Sequence, residues 1–115
     1  MAKFDLKGRR ALVTGGARGI GASIAEALAA AGASVMIGDV LADLGRETAT
    51  RLSSSGAKVG FVPLDVTKDG DWASVTETTV KELGGFDILV NNAGIEITSL
   101  VIDVDGDDLR RMLDV

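Results

Sequence analysis

A chain of 115 residues is long enough for one domain and too short for two. With 46% hydrophobic and 25% charged residues it has the composition of a soluble globular protein, which argues against disorder. Its 12 Lys and Arg against 17 Asp and Glu give a net charge of −5 with no basic cluster, so neither nucleic acid nor an anionic membrane is an expected partner.

No apolar run approaches the ~20 residues of a membrane span, and the first ten residues lack a signal-peptide core, so the cytoplasm is the expected location. Absences narrow the chemistry further. His, Cys and Tyr are all missing, which removes an imidazole base, a thiolate nucleophile, a phenolic acid, a disulfide framework and the usual zinc ligands from these residues. Carboxylates, Lys, Ser and Thr remain.

In chain order, Arg9 to Thr14 reads as a first strand, its Ala11-Leu12-Val13 run too uniformly apolar for a half-exposed one. Gly19 to Ala31 reads as a helix with Ile24, Ala27, Leu28 and Ala31 on one stripe, stopped by Gly32. Ser34 to Gly38 is a second strand with Asp39 at its carboxyl end, followed by a helix from about Leu41 to Ser53. Lys58 to Val62 is a third strand, with Pro63 near its end and Asp65 just beyond. A helix is expected over Lys68 to Leu83, presenting Trp72, Val75, Thr79, Val80 and Leu83 on one face and ending at Gly84-Gly85. Phe86 to Val90 is a fourth strand. The stretch 98 to 103 is ambiguous, and Asp107 to Val115 reads as a helix whose Leu109, Met112 and Leu113 form an apolar stripe.

Alternating strands and helices with nearly continuous apolar strands predict an α/β fold with a doubly wound parallel sheet covered on both faces. In a Rossmann-type sheet the first four strands run in the order 3-2-1-4, and ligands bind outside the carboxyl ends of strands one and four. Strand four is then an edge without the Lys or Pro that usually protects one, so the chain reads as part of a larger sheet.

The stretch Thr14-Gly15-Gly16-Ala17-Arg18-Gly19-Ile20-Gly21 sits where strand one turns into a helix. Glycines there let the backbone approach an anion, and the helix N-terminus offers unpaired N–H groups to a pyrophosphate. The bland alternative is a tight turn packed on the sheet. A P-loop is excluded because Ala22 stands where its Lys is needed, and the strict G-x-G-x-x-G spacing is also absent.

Asp39, 18 residues after Gly21, can accept hydrogen bonds from an adenosine ribose and would repel a 2′-phosphate, which favours NAD over NADP. Arg18 beside the same pocket has two readings, a partner for such a phosphate or a solvated side chain. Asp65 and Val66 offer a carboxylate acceptor and a backbone N–H to an adenine, or else a turn aspartate and its neighbour. Asn91-Asn92-Ala93-Gly94 ends strand four, where small residues let a ribose lie on the backbone and the amides can tie strand ends together.

On TGGARGIG at 14 to 21, Asp39, LDVT at 64 to 67 and NNAG at 91 to 94, each in the expected place, the chain resembles the N-terminal half of a short-chain dehydrogenase/reductase of the Rossmann type. The resemblance covers essentially all of it, as one incomplete NAD(P)-binding domain. It implies that Gly15, Gly19 and Gly21 shape the pyrophosphate turn, with Ile20 beside the nicotinamide. It further implies that Asp39 binds the ribose, that Asp65 and Val66 read the adenine, and that Asn91, Ala93 and Gly94 support the cofactor.

The family moves hydride between NAD(P) and a carbonyl or alcohol with a Ser, a Tyr and a Lys in a Tyr-x-x-x-Lys arrangement, and this chain has no tyrosine. The expectation is therefore the cofactor half of a longer NAD-dependent enzyme, inactive alone, acting on a small alcohol or carbonyl and assembling as a dimer or tetramer through its last helix. A non-catalytic NAD-binding module is the rival. A phosphoacceptor signalling domain fits less well, because its acidic pair should follow strand one, where this chain has glycines.

Overall fold

The computed structural model describes residues 5–92 and the strand Ser99–Ile102. The elements are β1 (Arg10–Thr14), α1 (Gly19–Ala30), β2 (Ser34–Asp39), α2 (Ala42–Ser53), β3 (Val59–Pro63), α3 (Asp69–Leu83), β4 (Ile88–Asn91) and β5 (Ser99–Ile102). The sheet runs β3-β2-β1-β4-β5, so the 3-2-1-4 order holds among the four parallel strands. Each expected strand and helix through β4 is present, with ends moved by up to two residues.

The expectation that strand four is an edge is corrected. β5 lies beyond it, antiparallel, with Ile88 opposite Ile102 and Asn91 opposite Ser99. The backbone groups on that side of β4 are taken up by chain that follows it directly, so no Lys or Pro is needed there. The ambiguous stretch at 98 to 103 contains this strand. The expected helix at 107 to 115, with its Leu109, Met112 and Leu113 stripe, lies outside the described residues.

Period-two alternation divides the core. Ala11, Val13, Val35, Ile37, Ile88 and Val90 point to one face and pack with Ala25, Ala49 and Leu52 of α1 and α2. Leu12, Met36 and Leu89 point to the other and meet Trp72, Val75 and Leu83 of α3. Right-handed crossovers explain the split: β1→β2→β3 proceeds one way across the sheet, and β3→β4 returns on the opposite face. The reversal opens a crevice between the carboxyl ends of β1 and β4.

Two expected helix faces shift. On α1 the buried positions are Gly21, Ala22 and Ala25, while Ile24 and Leu28 are only half-buried and Ala27 is exposed. The smallest side chains face the sheet, which lets the helix approach it closely. On α3, Val80 is exposed, and Trp72, Val75, Thr79 and Leu83 form the buried face.

Thr79 is fully buried, and its hydroxyl has no hydrogen-bond partner among the described residues. A buried hydroxyl without a partner costs stability, whereas an apolar group of the same shape does not. Thr79→Val should therefore stabilise the full-length protein by about 1 kcal/mol, read as a higher urea midpoint. An unchanged or lower midpoint would refute that account.

At the opposite end of the sheet from the crevice, Arg10 latches β1 to the α3–β4 connection. Its N–H and Nε both donate to Asp87 Oδ2 (2.9 and 2.8 Å), and Nη1 donates to the Gly84 carbonyl at 3.1 Å. The Asp87 N–H returns a bond to the Arg10 carbonyl at 2.8 Å. The hydrogen bond from the Arg10 side chain, helped by its N–H and charge and opposed by partial burial, holds the Asp87 carboxyl below the ordinary range.

A depressed carboxyl pKa contributes stability that is present above the unfolded value, about 3.9, and is lost as pH falls through the folded value. Asp87→Asn should accordingly lower the urea midpoint at neutral pH, with the gap to wild type closing as the pH drops through that window. A gap independent of pH would show that charge is not the cause.

Candidate functional site

The crevice is built from the ends of four strands, β1, β2, β3 and β4, and the turn that follows β1. β1 finishes at Thr14, which is fully buried. Its hydroxyl donates to Asn91 Oδ1 at 3.0 Å and accepts the Asn92 N–H at 2.9 Å, tying the ends of β1 and β4 together. The Asn92 amide then donates to the Gly15 carbonyl at 3.3 Å, and the Gly15 N–H donates to the Gly38 carbonyl of β2 at 2.7 Å. The turn is thus fixed to both neighbouring strands.

Gly15 and Gly19 have φ of +66° and +60°, the left-handed region that favours glycine. A Cβ on Gly19 would meet nothing within 4 Å, so it would fill the open space above the turn. α1 starts immediately, with no side-chain cap and no acid in its first turn. Among the described residues no side chain caps this end, so its leading N–H groups and the positive end of its dipole suit an anion.

Asp39 ends β2 nearly buried. Its Oδ2 accepts the Ala17 N–H at 3.1 Å and its Oδ1 accepts the Leu41 N–H at 3.0 Å. Each oxygen keeps a second lone pair for a ligand hydroxyl. Asp65 closes its own turn: Oδ1 accepts the Thr67 hydroxyl at 2.6 Å and the Thr67 N–H at 3.0 Å. The bond from that hydroxyl, then the N–H, holds the Asp65 carboxyl below the usual range. Val66 is set by its carbonyl, which accepts the Trp72 indole N–H at 2.9 Å.

Six of the expected residues, Gly15, Arg18, Gly19, Asp39, Asp65 and Val66, line one cleft of about 470 Å³. That volume suits a bound small molecule or part of a larger one. Val40, Leu41, Leu64 and Asn92 complete the lining. Sequence reasoning singled out Asn91 and not Asn92, and the register explains the difference: Asn91 is still paired with Thr14 inside the sheet, whereas Asn92 is the first residue past it. Ile20 is 70% exposed on the first turn of α1, and Gly21 is buried in helix packing. Neither lines the cleft, and Ala93 and Gly94 lie outside the described residues.

A wider groove of about 1020 Å³ runs between α1 and α2. It holds Arg18, Arg46 and Arg51 against Glu26, Asp43 and Glu47, and none of the strand-end acids. Balanced charge and an open form give it no evident ligand, so the smaller cleft is the better candidate despite its size. Among the described residues no group of His, Cys, Asp or Glu could hold a metal ion, and no helix is long and apolar enough to cross a membrane.

A family model described as short chain dehydrogenase matches residues 9–115. The chain belongs to the short-chain dehydrogenase family. As a member of it, the chain is 42% identical over 110 residues to a 3-alpha-(or 20-beta)-hydroxysteroid dehydrogenase of Mycobacterium tuberculosis, covering 96% of this chain and 41% of the relative. It is 43% identical over 111 residues to a trans-4-hydroxycyclohexanecarboxylate dehydrogenase of Sinomonas cyclohexanicum, covering 91% and 43%.

Among solved structures it is similar to a short chain dehydrogenase from Burkholderia cenocepacia in complex with NADP (TM-score 0.75, 38% identity), over 96% of this chain and 45% of that one. A hydroxysteroid dehydrogenase from Escherichia coli gives a TM-score of 0.76 at 34% identity, over 93% and 43%. The chain spans about 41% of the length of the first of these curated relatives. Short-chain dehydrogenases are oxidoreductases that use nicotinamide cofactors.

Proposed function

We propose that this chain is the dinucleotide-binding part of an NAD-dependent dehydrogenase that interconverts a secondary alcohol and its carbonyl. The observation that carries the reading is the meeting, in one cleft, of the open space above Gly19 at the uncapped start of α1 and the fixed Asp39 carboxylate. The residues present fit the cofactor. The first turn of α1 would take the pyrophosphate, Asp39 the adenosine ribose, and Asp65 with Val66 the adenine, between the apolar Val40, Leu41 and Leu64.

NAD is preferred to NADP because Asp39 is a nearly buried acid with both oxygens fixed on backbone N–H groups. A 2′-phosphate would bring like charge against it, which is unfavourable in a partly desolvated cleft. Arg18 lines the same cleft, but its guanidinium forms no ion pair or hydrogen bond among the described residues and belongs to an exposed residue. An exposed cation offsets less than a fixed, nearly buried acid opposes.

When bound, the nicotinamide supplies hydride transfer, and the protein's part is binding and orientation. The proton donor is assigned to sequence beyond these 115 residues, so this stretch alone is proposed to be inactive. The secondary-alcohol class rests on relatives named as hydroxysteroid and butanediol dehydrogenases. A cytoplasmic homo-oligomer is the accompanying proposal for the whole protein.

Calorimetric titration of the full-length protein with NADH and with NADPH tests the reading. NADH should bind at least ~10-fold tighter, the equivalent of one good charge-assisted contact. Equal affinities, or preference for NADPH, would sink the NAD assignment, and binding of neither would sink the site.

A further inference from the structure

Ala17, in the middle of the glycine turn, is gripped from two sides. Its N–H donates to Asp39 Oδ2, and its carbonyl accepts the Thr48 hydroxyl at 2.6 Å. These groups belong to the two peptide planes that flank the Ala17 Cα, so the pair of bonds fixes both of its backbone torsions.

Thr48 is an unusual participant. It is the only polar side chain among the four buried positions of α2, beside Gly45, Ala49 and Leu52. A threonine hydroxyl inside a helix has a ready acceptor in the carbonyl one turn back. This one leaves its own helix and reaches a residue 31 positions earlier.

We propose that Thr48 is a positioning residue for nucleotide selection: through the clamped Ala17 backbone it aims the Asp39 carboxylate at a ribose bearing a free 2′-hydroxyl. The inference rests on the dinucleotide reading above and extends it to a residue that no motif marks. Asp39 has two backbone partners of different kinds. The Leu41 N–H comes from the same strand end, two residues on. The Ala17 N–H is the partner that ties the carboxylate to the phosphate turn.

Without the Thr48 hydroxyl the Ala17 torsions relax, its N–H swings, and the carboxylate keeps only its local bond. Arg18 is affected by the same device, because the Ala17 carbonyl lies in the peptide that leads into it, and the Arg18 and Asp39 side chains both line the cleft. One hydroxyl therefore sets the acid and the base that face the 2′ position.

The test is calorimetric titration of NADH and NADPH into the full-length protein as wild type, Thr48→Val and Thr48→Ser. Thr48→Val keeps the shape and deletes the donor, and should weaken NADH about 10-fold while changing NADPH by about 2-fold or less, so that selectivity falls. Thr48→Ser should restore the wild-type ratio. A purely structural role would lower the melting temperature and weaken both nucleotides alike, leaving the ratio unchanged.

Wild-type selectivity surviving in Thr48→Val overturns the role of Thr48 and leaves the dinucleotide reading intact. A wild type that binds neither nucleotide, or prefers NADPH, overturns both. If Thr48→Val does not fold, reduced Thr48→Cys, close in size and a weak donor, must show the same loss of ratio, and retention of the ratio there refutes the proposal.

Discussion

Gly21→Ala is expected to damage both the fold and the cofactor site. A Cβ at Gly21 would clash with the Gly15 carbonyl oxygen and fall 2.7 Å from Asn92 Nδ2. Neither neighbour can retreat cheaply. Gly15 is tethered to β2 by its N–H and to Asn92 by the same carbonyl, so moving it disturbs β1, β2 and β4 together. The alternative is for the first turn of α1 to lift off the sheet, which exposes Ala22 and Ala25.

Overpacking of this kind costs about 1–3 kcal/mol, and a displacement near 1 Å at the anion-binding turn is worth about 100-fold in a function that depends on its geometry. Urea unfolding and NADH calorimetry on the full-length protein should show both losses. Gly19→Ala provides the contrast. Its Cβ meets open space, so the fold bears only the cost of a left-handed alanine, about 1–2 kcal/mol. That same Cβ fills the space proposed for a phosphate, so binding should fall well beyond what the lost stability explains. A Gly21→Ala protein with wild-type midpoint and affinity would contradict the packing described for α1.

What could be read from the sequence divides along a physical line. The apolar runs of β1, β2 and β4 and the glycine turn are local patterns, and local patterns carry strands, helices and their order. Asp39 and Asp65 follow from position alone, since each stands at or just past a strand end on the edge where a parallel sheet binds ligands. On α1 the expected stripe is half right: Ile24 and Leu28 pack against the core from its margin, while close approach places the small Gly21, Ala22 and Ala25 at its centre.

Thr48 carried no signal of its own, because its partner Ala17 is distant in sequence and the contact exists only once α2 is docked. The choice between Asn91 and Asn92 required the exact end of β4, and element ends are the least legible feature of a sequence. Pairing of β4 with β5 was hidden for another reason: an antiparallel return was not part of the alternating pattern that identified the other strands.

The counterpart to Gly21 is Thr14, where the loss is of hydrogen bonds. Thr14→Val preserves shape in a fully buried position and removes the donor to Asn91 Oδ1 and the acceptor of the Asn92 N–H at once. Depriving a buried polar group such as Asn91 of a partner costs about 1–3 kcal/mol, and the half-buried Asn92 N–H adds less, so a destabilisation of about 2 kcal/mol is expected. The consequence should reach function as well. Those bonds join the carboxyl ends of β1 and β4, the strands between which the crevice opens, and Asn92 in turn holds the Gly15 carbonyl.

With the ends free to separate, the cleft loses the fixed spacing between turn and strand, and NADH affinity should fall about 10-fold or more. Thr14→Ser retains the hydroxyl and gives up one methyl group, so it should keep most of the affinity while losing about 1 kcal/mol of stability. The pair of variants separates the two causes. If Thr14→Ser loses affinity as severely as Thr14→Val, packing of the methyl group governs the crevice; if only Thr14→Val does, the hydroxyl sets its width.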